Sequence, residues 1–71
     1  MSRLEQQIQK NNKQLSVYFP LTQTNDFIFK AFCKLDDLIN DVVDGKSTKQ
    51  DLVNFQQKLL VGFRWRYQNN K

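Results

Sequence analysis

The run Gly62-Phe63-Arg64-Trp65-Arg66-Tyr67 alternates aromatic rings with two arginines near the C-terminal end of the chain. Trp, Tyr and Arg dominate binding energy at protein interfaces, and Trp beside cations is equally suited to stack on a nucleic-acid base. Elsewhere the residues able to do chemistry are few. There is no histidine for general acid–base work, and the single cysteine, Cys33, therefore has none to activate it. Its neighbours Phe29 and Phe32 predict an inert, buried thiol. Asp36, Asp37, Asp41 and Asp44 spread over two helical turns with lysines nearby, and they lack the loop geometry that holds calcium. They predict a solvated face. Gly45 and Gly62 are too far apart to build a phosphate loop. The chain is expected to be no enzyme, with no metal, cofactor or small-molecule substrate.

A chain of 71 residues is a single small domain, and such a domain buries only about 60% of the surface its unfolded form exposes. Small domains lean on disulfides, metals or partner subunits. One cysteine and no histidine remove the first two supports, which leaves self-association or a partner. No stretch approaches the roughly 20 apolar residues of a membrane span, and no signal-peptide pattern opens the sequence. With the lone cysteine, this predicts a soluble cytoplasmic protein with no membrane partner.

The net charge of +4 is unevenly spread. Residues 21–46 set Lys30, Lys34 and Lys46 against Asp26, Asp36, Asp37, Asp41 and Asp44 and are acidic. Residues 47–71 set Lys49, Lys58, Arg64, Arg66 and Lys71 against Asp51 alone and are basic. Such asymmetry fits nucleic acid, an acidic protein, or the acidic middle of another copy of the chain.

The elements that must position these groups are helical. Ile28, Phe32, Leu35, Ile39 and Val42 recur at spacings of four and three, lining one face of a helix over about 25–44. Thr24 or Asn25 caps its start and Gly45 ends it. Thr48-Lys49-Gln50-Asp51 forms a capping box that opens a second helix over about 49–68. Because the GKST connection is short, the two should fold back as an antiparallel hairpin. Residues 1–17, with Leu4, Ile8 and Leu15 near heptad positions and Asn11 in the seam, predict a shorter helix or arm packed across that hairpin. Residues 18–24 form a linker laying Tyr18, Phe19 and Leu21 over its open end. The expected fold is all-α, a small three-helix domain spanning 1–71.

Helical arithmetic splits the aromatic run. Leu52, Leu59 and Phe63 fall within about 40° of one another and define the core side, with Tyr67 at its edge, while Trp65 lies roughly opposite. Phe27, Phe29 and Cys33 likewise lie off the core stripe of their own helix. Two such helices carry more apolar surface than they can hide against each other. The function favoured is that of a small regulator or adaptor binding a protein partner or itself, with a homodimer expected and Trp65, Val61, Arg64, Lys58 and Phe29 in contact. The alternative is a basic nucleic-acid-binding protein that uses Lys58, Arg64, Arg66, Lys71 and Asn69.

Overall fold

A computed structural model describes residues 2–68. They form an all-α, three-helix domain: α1 (Arg3–Leu15), α2 (Asp26–Val43) and α3 (Lys49–Phe63). A 3-10 helix, Ser16–Gln23, connects α1 to α2, and a π turn, Arg64–Gln68, continues α3.

Each helix starts where a polar side chain satisfies its free amides. Ser2 accepts from the Glu5 amide at 3.2 Å, and Asn25 accepts from Phe27 and Ile28 at 3.0 and 3.2 Å. Thr48 and Asp51 exchange reciprocal bonds at 3.1 Å, so the capping box is present as expected. The α2 stop is a Schellman motif. Gly45 takes φ +81°, the Lys46 amide donates to the Asp41 carbonyl at 2.8 Å, and the Gly45 amide donates to Val42 at 3.2 Å. Only glycine reaches that left-handed conformation without strain.

Of the shorter helix or arm expected over residues 1–17, the structure has the helix. It is a complete helix running alongside α3 in the same direction, and this is the most extensive helix–helix contact in the domain. Glu5 pairs with Lys49 at 2.7 Å at the start of both helices, and Arg64 donates to Gln14 at 3.1 Å near the end of both. Helix α2 runs antiparallel between the same two ends.

The core is formed by Leu15, Tyr18, Ile28, Ala31, Leu35, Leu52, Leu60 and Phe63. Phe63 lies at its centre, with ring centroids 5.2 Å from Tyr18, 6.0 Å from Phe32 and 6.1 Å from Tyr67. The buried face of α3 is rotated from the one expected. Val53, Gln56 and Leu60 are buried, while Phe55 and Leu59 are only half-buried. Docking of α1 draws the face toward itself, which a two-helix hairpin would not do.

Buried amides join α1 to α3. Gln56 is fully buried, and its Nε2 donates to Asn12 Oδ1 at 2.7 Å and to the Ile8 carbonyl at 3.4 Å. Its Oε1 accepts from Asn11 Nδ2 at 3.2 Å, and Asn11 in turn accepts from Gln7. Among the described residues no buried side-chain polar atom lacks a partner. The seam therefore avoids the desolvation cost of an unpaired amide.

The 3-10 connector, SVYFPLTQ, contains Pro20, which has no amide proton to donate. Side chains also satisfy local carbonyls: Ser16 Oγ donates to Lys13 at 2.6 Å and Thr22 Oγ1 to Phe19 at 2.7 Å. Of the three apolar residues expected to lie across the open end, Tyr18 enters the core, whereas Phe19 and Leu21 remain exposed.

Candidate functional site

The outer side of α3 carries an open stripe of Lys58, Val61 and Trp65, with Val61 67% exposed and Trp65 77% exposed. These positions follow one another by about one helical turn, so they share a face. The π turn separates the side chains around the indole. Arg64 reaches back to Gln14 of α1, and the Arg66 guanidinium lies 5.0 Å above the Phe27 ring of α2. Each arginine is thus engaged with a different helix, and the indole is left between them facing outward.

Phe29, 53% exposed, belongs to another surface. It lines an open cleft of about 510 Å³ together with Leu15, Phe19, Phe32, Cys33 and Ile39. Cys33 is exposed there, which corrects the expectation of a buried thiol. It lies on the side of α2 turned away from the core stripe, and α1 packs along α3 without covering that flank. A second cleft of about 450 Å³ lies on the other side of the connector, between Val17, Tyr18 and Leu21 and Leu60 of α3 with Arg64 and Tyr67 of the π turn.

The anticipated contact residues therefore share one end of the domain but not one face. Val61, Arg64 and Trp65 lie in the last turns of α3 and its π continuation, and Phe29 in the first turns of α2. Lys58 lies lower on the outer stripe. Asn69 and Lys71, named as candidate nucleic-acid contacts, lie outside the described residues. A linker is expected over residues 18–24, but not the openness of the connector's apolar residues: Val17 and Phe19 are 72% and 60% exposed. The signal available was four apolar residues around a proline, in a segment too short to hide them all.

Among the described residues, no group of His, Cys, Asp or Glu is placed to hold a metal ion, and no helix is long and apolar enough to cross a membrane. The site is thus an apolar helical surface bordered by cations. Comparison with protein-family models, with curated proteins and with solved structures finds no match for the chain.

Proposed function

We propose that this chain is a small non-enzymatic regulator or adaptor that acts by helix-mediated protein–protein contact, a second copy being one such partner. The observation that supports this reading is the Val61–Trp65 stripe: two large apolar side chains left open, with Lys58 beside them and no described part of the chain covering them. An indole held out on a rigid helix supplies a large contact area at little entropic cost, and basic neighbours speed and orient association. The alternative use of the same helix on nucleic acid is less well supported. Arg64 and Arg66 both have partners within the chain, which leaves fewer cations to meet phosphates.

Sedimentation of the wild-type chain and of Trp65→Ala tests the reading. The wild type should self-associate, and the variant should do so about thirtyfold more weakly, the effect of losing an interface hot spot of about 2 kcal/mol. Trp65 touches no core ring, so the thermal midpoint of the variant monomer should be unchanged. A wild type that stays monomeric at every concentration overturns self-association. Binding to generic DNA whose affinity falls steeply with salt supports the nucleic-acid alternative instead.

A further inference from the structure

Apart from Val43, every large apolar residue left exposed lies at one end of the domain: on the connector, in the first turn of α2, or in the last turns of α3. The charges divide the same way. Residues 13–34 and 58–68 hold Lys13, Lys30, Lys34, Arg64 and Arg66 along with Lys58, and Asp26 is the one acid among them. Glu5, Asp37, Asp41, Asp44 and Asp51 lie toward the opposite end, partly offset there by Arg3, Lys46 and Lys49, while Asp36 lines the first cleft with Phe19 and Phe29. At the apex the connector lies as a ridge between the two clefts, with the exposed Val17 bordering one and Phe19 the other, the Phe19 ring edge-on to Phe32 at 5.6 Å.

We propose that this end is a docking face for an anionic lipid surface, with Val17 and Phe19 entering the headgroup region and Lys13 and Lys30 meeting lipid phosphates. The charge of the face selects the occupant. The second copy proposed above meets the outer side of α3, whereas two connectors brought together would place Lys13 and Lys30 against the same cations, and like charges in juxtaposition oppose association. An anionic surface instead attracts each of them and also accepts an apolar ridge that needs no matching groove. The expectation of no membrane partner rested on the absence of a span, and surface docking requires none. The connector residues it uses are not those of the α3 stripe, and flotation with the connector variants separates its failure from failure of the proposed protein contact.

The experiment measures partitioning of the full chain onto phosphatidylcholine vesicles with and without phosphatidylglycerol, at low and high salt. Flotation and the emission of Trp65, the single tryptophan, report binding. Expected are binding to the anionic vesicles only, a blue shift of the indole, and weakening by salt. Lys30→Gln should weaken binding roughly fivefold. Val17→Ser combined with Phe19→Ser should weaken it at least about tenfold, with helicity by circular dichroism unchanged. Val17→Ser alone, at the more exposed position, guards against a folding effect at Phe19. The proposal is overturned if the wild type ignores anionic vesicles, or if the double variant binds them as the wild type does. It is equally overturned if the double variant converts a wild-type dimer to monomer, which makes a second copy the occupant. Capture by poly-glutamate with vesicles ignored assigns the face to an acidic polypeptide and overturns it too.

Discussion

Phe63→Ala is expected to remove much of the stability of the domain. The ring is almost fully buried and contacts the rings of Tyr18, Phe32 and Tyr67, which come from the connector, α2 and the π turn. Truncation removes the one side chain that joins all three, and Phe→Ala in a core costs about 3–5 kcal/mol. A domain of this length holds on the order of 3–10 kcal/mol in total. Urea titration followed by circular dichroism measures the effect, with Phe63→Leu as the milder comparison. A loss of under about 1 kcal/mol would mean that the neighbouring rings can close the gap, and that the centre of the core lies elsewhere.

The second large effect concerns polarity rather than volume. Gln56→Leu should destabilise the domain by about 1–3 kcal/mol although it makes the core more apolar, because the buried Asn11 amide loses its acceptor. Asn12 is exposed and can turn to water, but Asn11 cannot. Adding Asn11→Leu should therefore restore much of the loss, since replacing both members of a buried polar pair by apolar groups is often close to neutral. Denaturant midpoints of the two single variants and the double variant close the cycle. Strictly additive losses would show that the two amides are not energetically coupled.

What the sequence reveals and what it conceals divide along physical lines. The helices of the hairpin are legible because periodicity, capping residues and Gly45 act locally, and the Thr48–Asp51 box lies on four consecutive residues. Trp65 is legible as outward-facing because its angle relative to Phe63 follows from the helix alone. The partner of α3 is not legible. Leu4, Ile8 and Leu15 make a thin apolar stripe, and the remaining contact is made by Asn11, Asn12 and Gln56, which periodicity counts as surface. Only the pairing of positions 45 apart turns Asn11 and Gln56 into interior residues. Cys33 fails for a related reason. Its aromatic neighbours suggest enclosure, but enclosure depends on which helix covers that flank, and none does.

The shared direction of α1 and α3 also bears on how the chain is made. During synthesis α1 leaves the ribosome before α2 and α3, yet the surface it packs against lies dozens of residues downstream. A helix of 13 residues is only marginally stable by itself in water. An oily segment exposed for that interval would invite aggregation, whereas RLEQQIQKNNKQL, rich in glutamine, asparagine and lysine, can wait in water unescorted. The amide-lined seam thus reconciles two demands on one stretch of sequence: harmless while nascent, specific once its late-arriving neighbour appears.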